Sequence, residues 1–224
     1  MRVDWRRDLA WLVLGLAAVI GWDAVGVDLA VVRWFGSVDG FALRDAWWTR
    51  GLLHEGGRWL AWAVLLTLVV GIWRPLPAFA GLPQRERIGW VLLTLAAVLL
   101  VPALKRVSLT SCPWDLAEFW GAAQYVSHWR WGVGDGGAGH CFPSGHAAGA
   151  FAFLSGYFVL RARTARWARR WLAGVLVVGV LFGTAQLVRG AHYPSHTLWT
   201  AWCCWAICLC GHGFWQGVGR VLPR

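Results

Sequence analysis

The chain has 224 residues, of which 58% are hydrophobic and only 14% are charged. Soluble domains carry about a quarter charged residues, so this composition favours a membrane protein. Its net charge of +10 does not indicate nucleic-acid binding, because the densest basic segment, 161–170, lies between two apolar runs. The 20 tryptophans also fit a membrane protein, since indole rings favour the membrane–water interface.

Six apolar runs follow one another along the chain, and each predicts a membrane-spanning helix. Arginines precede the first run, as in a signal peptide, but no convincing cleavage site follows, so we interpret it as a retained helix. A soluble all-helical core is the alternative, because several runs are shorter than the roughly 20 residues that a spanning helix needs. The runs are 9–22, 59–73, 88–104, 146–160, 171–188 and 197–214.

The distribution of charge predicts on which side of the membrane each segment lies. If the amino terminus is inside and six spans alternate, the inside segments carry the entire net charge of +10 and the outside segments are neutral. Positively charged segments tend to stay in the cytoplasm, so we expect both termini there. The prediction is therefore an all-α fold: one membrane domain, 1–224, of six transmembrane helices in a bundle. Its outside loops would be 23–58, 105–145 and 189–196.

The segment Pro143-Ser144-Gly145-His146 immediately precedes the fourth apolar run. Proline suits the first turn of a helix, serine caps it, and glycine allows close backbone approach. The free N–H groups and the dipole of such a helix start favour an anion. A simple helix cap explains the first three residues equally well, but it does not explain a histidine on the first turn.

Together with residues before and after it, this segment resembles the type 2 phosphatidic-acid phosphatase superfamily. The signature of that family has three parts: Lys-x6-Arg-Pro, then Pro-Ser-Gly-His, then Ser-Arg-x5-His-x3-Asp. Here the three parts begin at Lys105, Pro143 and Ala185, and the spacing is kept throughout. Four positions differ from the signature: Ala185 stands in the place of the serine, the two arginines are replaced by Cys112 and Gln186, and the aspartate by His196.

The resemblance implies a phosphohistidine mechanism. His192 would attack phosphorus, His146 would protonate the leaving oxygen, and His196 would take the place of the aspartate that holds the nucleophile. Arg189 lies three residues after Gln186, so on a continuing helix it would restore the lost guanidinium. The residues expected to bind the phosphoryl oxygens are Lys105, Ser144, Gly145, Gln186 and Arg189.

Further residues of the predicted outside loops are candidates for supporting roles. Cys112 and Cys141 would form a disulfide in an oxidising periplasm. Asp115 or Glu118 could offer a carboxylate to the nucleophile. The segment from His54 to Arg58 is either a solvated helix entrance or a contact for a headgroup or a second phosphate at the rim of the site.

A zinc site is a competing interpretation of the outside histidines. His192 and His196 are spaced i, i+4, as zinc ligands on a helix can be, but no ligand set at standard spacing completes the site. The phosphohistidine mechanism implied by the resemblance requires no metal and no other cofactor. Activity is therefore expected to persist in EDTA.

We therefore expect an enzyme that hydrolyses a phosphate monoester or pyrophosphate on a membrane lipid, at the periplasmic face of a bacterial inner membrane. Lipid A, a polyprenyl diphosphate and a phospholipid are all compatible substrates. A lipid-to-lipid phosphotransferase would use the same half-reaction. The loss of the two arginines and the aspartate also leaves open an inactive relative that binds or transports a lipid phosphate. The expected partners are this lipid and the bilayer, and not nucleic acid.

Overall fold

The computed structural model describes the backbone of residues 5–221 and the side chains of residues 5–217, and it is almost entirely helical. A two-stranded hairpin and a ten-residue π-helix, Trp47–Gly56, lie between the second and third α-helices. The hairpin consists of β1 (Gly36–Ser37) and β2 (Gly40–Phe41), which pair antiparallel. The α-helices are α1 (Trp5–Val25), α2 (Asp28–Val32), α3 (Gly57–Val70), α4 (Gln84–Arg106), α5 (Gly145–Phe151), α6 (Ser155–Leu160), α7 (Ala165–Val188) and α8 (Pro194–Val221).

Each of the six predicted apolar runs lies largely within helix. The π-helix continues directly into α3, and a short 3-10 turn joins α5 to α6 into one stretch, 145–160. Within residues 5–221, three helices, α1, α4 and α7, are long and apolar enough to cross a membrane. The outer surface of α1 is apolar and exposed, with Trp11, Val13 and Leu14 each more than half exposed. The chain is therefore a helical membrane protein, as the composition predicts.

The core lies between α4, α5, α6, α7 and α8. Small side chains let these helices approach closely: Ala97 on α4 and Cys204 on α8 are fully buried. A hydrogen bond between the hydroxyl groups of Thr94 and Ser155, 2.7 Å long, joins α4 to α6 inside this core. Such buried hydroxyl pairs satisfy polar groups that neither lipid nor apolar side chains can solvate.

Two segments predicted as loops contain regular structure. The first, 23–58, holds α2, the hairpin and the π-helix. The second is the basic segment 161–170, because α7 begins at Ala165, six residues before the apolar run. Arginine is a good helix former and its long side chain reaches solvent from a helix surface, so the basic residues extend the helix instead of ending it.

The three predicted outside loops, 23–58, 105–145 and 189–196, pack together at one end of the bundle. We call it the motif end because all three signature parts lie there. A second hydrophobic cluster holds the loops together: Val32 and Phe41 from the first loop pack with Phe119 from the second and Tyr193 from the third. The carboxylate of Glu118 also pairs with Arg33 at 2.6 Å on the surface. The loops therefore form a packed cap on the helices.

Candidate active site

Three distant segments meet at the motif end. The backbone N–H of Ser144 donates to the carbonyl of His196, and the hydroxyl of Thr200 donates to the carbonyl of Ser144. These bonds fasten the start of α5 to the first turn of α8. Gly190 turns the chain between α7 and α8 with φ of 71°, and the ring of Phe41 occupies the place of a Cβ there. Only glycine fits such a turn, which sets the position of His192.

A disulfide joins the first signature part to the second. The sulfur atoms of Cys112 and Cys141 are bonded, and their Cα atoms are 5.2 Å apart. The Cys141 sulfur, which carries no proton in this bond, lies 3.4 Å from Nδ1 of His192. Both cysteines lie in the loop 105–145, so the disulfide holds the two ends of this loop together beside the third signature part.

His192 is 5% exposed, and its two ring nitrogens have different surroundings. Nδ1 lies 3.3 Å from Nδ1 of His196, while Nε2 makes no hydrogen bond with any residue from 5 to 217. Burial, and then the positive charge of Lys105, hold the pKa of His192 well below its ordinary value. The ring is therefore neutral near pH 7, the form that a nucleophilic nitrogen requires.

His146 is held by the π-helix. Its Nε2 donates to the carbonyl of Leu53 at 3.0 Å, so Nδ1 is the ring nitrogen left for chemistry. The ring packs between His54 and Phe182, with ring centroids 4.5 Å and 4.6 Å away. π-Helical turns are rare and are frequent at functional sites.

A chain of polar contacts links the third signature part to the π-helix. The guanidinium of Arg189 donates to the carbonyl of Arg44 at 2.8 Å and lies 3.5 Å from the side-chain oxygen of Gln186. The amide nitrogen of Gln186 donates in turn to Nδ1 of His54 at 3.1 Å. Burial, and then the charge of Arg189, lower the pKa of His54. Arg189 thus brings a buried positive charge close to His54, whose ring packs against the ring of His146.

A cavity of about 320 Å³ opens beside these groups. Lys105, Gly145 and His146 line it from the first two signature parts, and His54 and Arg58 line it from the other side. Two cations and two imidazoles therefore surround a space large enough for a phosphoryl group. Three predicted site residues, His192, Gln186 and Arg189, are not among the residues that line it. The remaining lining is apolar and comes from α3, α4, α5 and α7, with Ala61, Trp62, Leu65, Val98, Ala148, Gly149, Phe153 and Phe182 among it.

Other predicted site residues have structural contacts. Ser144 is fully buried, and its hydroxyl accepts from the N–H of Ala147 as the cap of α5. The carboxylate of Asp115 accepts from the N–H of Cys112, so it stabilises the loop after the first signature part. His196 is 1% exposed, and its Nε2 has no hydrogen-bond partner among the described residues.

The donors of the site do not fit a zinc ion. Within residues 5–217, Cys112, Cys141 and His192 bring one ligand atom each within 4.8 Å of one another. The two sulfur atoms are bonded to each other, so neither is available as a thiolate ligand.

Arg58, at the end of the predicted rim segment 54–58, lines the cavity together with His54. Three further residues at the motif end are not part of any sequence motif. Asp28 accepts hydrogen bonds from the backbone and hydroxyl of Ser195, the residue before His196. Asp23 binds the ring of His128, 105 residues away, and no sequence pattern indicates that pair.

The sequence profile of the PAP2 superfamily matches residues 87–220. This range contains all three signature parts and the helices α4 to α8 that position them. No significant match was found among curated proteins or among solved structures.

Proposed function

Since the chain belongs to the PAP2 superfamily, we propose that it hydrolyses a phosphate monoester or pyrophosphate on a membrane lipid through a phosphohistidine at His192. The observation that carries this proposal is the adjacency of the polar cavity and a long apolar groove. A phosphate in the cavity would have its lipid chain beside it in the groove. A water-soluble phosphate ester would leave the groove unused.

The chemistry proceeds in two displacements on phosphorus. Nε2 of His192 attacks, the bond from phosphorus to the lipid oxygen breaks, and that oxygen takes a proton from Nδ1 of His146. Because Nε2 of His146 keeps its own proton on the carbonyl of Leu53, His146 must enter this step as the imidazolium, a form that the negatively charged phosphate beside it favours. Water then attacks the phosphohistidine, the phosphorus–nitrogen bond breaks, and His146 takes the proton from water. The charges of Lys105, Arg58 and Arg189 neutralise the phosphoryl oxygens, which is the main contribution that proteins make to phosphoryl transfer.

The apolar groove has a volume of about 480 Å³ and runs between α3, α5 and α7. It shares Ala61, Gly149, Phe153 and Phe182 with the polar cavity, so the two spaces are direct neighbours. From Phe182 to Arg170 on α7 the groove follows twelve residues, which corresponds to about 18 Å of helix. This length suits one hydrocarbon chain of a lipid that lies along the bilayer normal.

The charge distribution supports an orientation. We infer that the six helical stretches all cross the membrane and that the motif end faces the periplasm of a bacterial inner membrane, with both termini in the cytoplasm. The basic residues at the start of α7 would then face the cytoplasmic side, as the positive-inside rule expects. Lipid A, polyprenyl diphosphates and phospholipids all present phosphate at that face.

The test is phosphate release from a short-chain lipid phosphate by the purified protein in detergent. We expect turnover in the wild type, none in His192→Ala, and near wild-type turnover in the control His140→Asn. His140 is exposed with φ of 55°, a conformation that asparagine accommodates. Full activity of His192→Ala would refute the mechanism.

Two other outcomes identify the alternatives. Loss of phosphate from the donor lipid only when an acceptor lipid is added, with the phosphate recovered on the acceptor, would identify a phosphotransferase. Lipid-phosphate binding without turnover by the wild type would identify a binding or transport protein. This last alternative is favoured by Gln186, whose side chain is engaged with His54 and carries no charge.

A further inference from the structure

We propose that Asp23 and His128 form a remote carboxylate–imidazole couple that orients His196 and, through it, His192. Neither residue touches the cavity, so both are positioning residues. The proposal rests on the proposed function, because it explains how a nucleophilic His192 works with a histidine where the signature has an aspartate.

The tautomers of the two buried histidines follow from their contact. If Nε2 of His192 attacks phosphorus, its Nδ1 must carry the proton. Nδ1 of His196, 3.3 Å away, must then accept, and the proton of His196 must lie on Nε2. That Nε2 is buried and has no hydrogen-bond partner among the described residues. A buried donor of this kind is costly unless an acceptor or a negative charge stabilises it.

The couple lies on the far side of His196. The rings of His128 and Phe142 stack in parallel, 4.2 Å apart, and both present their faces or edges to His196 at 6.0 Å and 5.2 Å between centroids. Nε2 of His128 lies 3.2 Å from a carboxylate oxygen of Asp23. The side chains of His128 and Asp23 are only 9% and 5% exposed.

Asp23 is fixed from three sides. Its Oδ2 accepts from His128 and from the indole N–H groups of Trp129 and Trp199, at 2.9 Å and 2.8 Å. The carboxylate therefore cannot turn away from His128 without losing several bonds. Because His128 donates from Nε2, its Nδ1 is an acceptor, which matches the donor of His196.

The rings form a packed row that ends at Asp23. Nδ1 of His192 lies 3.3 Å from Nδ1 of His196, the ring of His128 packs edge to face against the ring of His196, and His128 donates to Asp23. When the bond from Nε2 to phosphorus forms, His192 becomes positively charged, and the negative charge of Asp23 favours that state through the low-dielectric interior. The couple forms and breaks no covalent bond and keeps its protons, so the balance of the phosphoryl transfer is unchanged.

The experiment compares Asp23→Asn in the wild type and in His196→Asp. In His196→Asp a carboxylate lies directly beside His192, so the carboxylate of Asp23 is no longer needed. We expect Asp23→Asn to lower kcat at least about tenfold in the wild type with KM unchanged, and less than twofold in His196→Asp. Asp39→Asn makes the same change at an exposed carboxylate outside this row of residues and should change kcat less than twofold. Equal losses in both backgrounds, or no loss in either, would overturn the proposal.

A second measurement does not depend on turnover. The protein is labelled with ¹⁵N-histidine, and the NMR signals of His196 are assigned by their loss in His196→Gln. In the wild type these signals should show the proton of His196 on Nε2. In Asp23→Asn they should show a mixture of the two tautomers. An unchanged tautomer in Asp23→Asn would overturn the couple. If the wild type has no turnover, the proposed hydrolase is wrong, and the tautomer of His196 alone tests the couple. The tautomer is likewise the test if His196→Asp is inactive.

Discussion

In the proposed mechanism the two ring nitrogens of His192 have separate tasks, and in the structure they have different surroundings. Nδ1 faces the disulfide sulfur and His196, whereas Nε2 is left unbonded among the described residues. A nucleophilic imidazole needs this arrangement, because a hydrogen bond to the attacking nitrogen would have to break before reaction. The orientation of the ring thus depends on groups that never contact phosphate.

His192 should remain neutral at pH values where an ordinary histidine, with a pKa of 6.5, is protonated. Burial is the main cause of its lowered pKa and the charge of Lys105 is the second. Turnover should therefore not decline through protonation of His192 as the pH falls through 6.5. An NMR titration of the His192 ring checks this, and Lys105→Met should move its midpoint upward. A midpoint near 6.5 in the wild type would contradict the prediction.

Arg189 should supply the guanidinium that the signature places at position 186. Arg189→Gln is expected to lower kcat/KM by roughly 10- to 100-fold, the effect of losing one charge-assisted hydrogen bond to phosphate. Adding Gln186→Arg to that variant should recover most of the loss, since it moves the charge by one helical turn. The measurement is steady-state hydrolysis of a lipid phosphate. No recovery in the double variant would show that Arg189 acts through its bond to Arg44 instead.

Sequence reasoning predicts the part of the site whose residues have a fixed spacing. Lys105, His146 and His192 are recognised because each lies beside residues that the signature also contains. Asp23 and His128 follow no spacing, since tertiary packing alone brings together residues 105 positions apart. Contacts of that kind are outside the reach of local pattern.

At the scale of the elements, the groove between α3, α5 and α7 depends on what its lining lacks. Gly174 lines it, and a Cβ at this position would meet no atom within 4 Å. The space is therefore held open by a missing side chain on α7. A larger residue there would fill the groove without disturbing the helix.

Gly174→Leu should raise KM for a long-chain lipid phosphate about tenfold, the cost of about two methylene groups that no longer find an apolar surface. KM for a short-chain analogue should stay the same, because the polar cavity is untouched. Gly21→Leu is the matched control: Gly21 on α1 also has no atom near its Cβ position, and it lies outside the groove. Equal KM changes for both lipids would contradict a chain-binding groove.

The positions of the helices are predictable from apolar runs to within seven residues at each end, and the structure between the helices is not. The π-helix at Trp47–Gly56 lies outside every apolar run because it is less hydrophobic than the long helices, and it is held by contacts such as the bond from His146 to Leu53. The hairpin is two residues per strand and packs Phe41 against Phe119. Both elements exist because the loops pack on one another, which a run of residues read alone does not show.

At the scale of the whole molecule, the disulfide stabilises the cap against the bundle. Cys112 and Cys141 are 29 residues apart. By restricting the unfolded chain, the crosslink raises the free energy of the unfolded state by roughly 3.5 kcal/mol. The double variant Cys112→Ser, Cys141→Ser should lose activity and unfold at a lower temperature in detergent. The control Cys210→Ser, at an exposed free cysteine, should not. Identical thermal midpoints for wild type and double variant would contradict this role.

The groove also determines which measure of substrate concentration sets the reaction rate. Its lining includes exposed residues such as Leu60 and Leu76, so it opens sideways along the helices instead of towards water. A hydrophobic substrate that enters by this route diffuses in two dimensions and never passes through the aqueous phase. Saturation of the proposed hydrolase would then follow the mole fraction of the lipid within the bilayer. Dilution of a vesicle suspension at constant lipid composition would leave the rate per protein molecule unchanged.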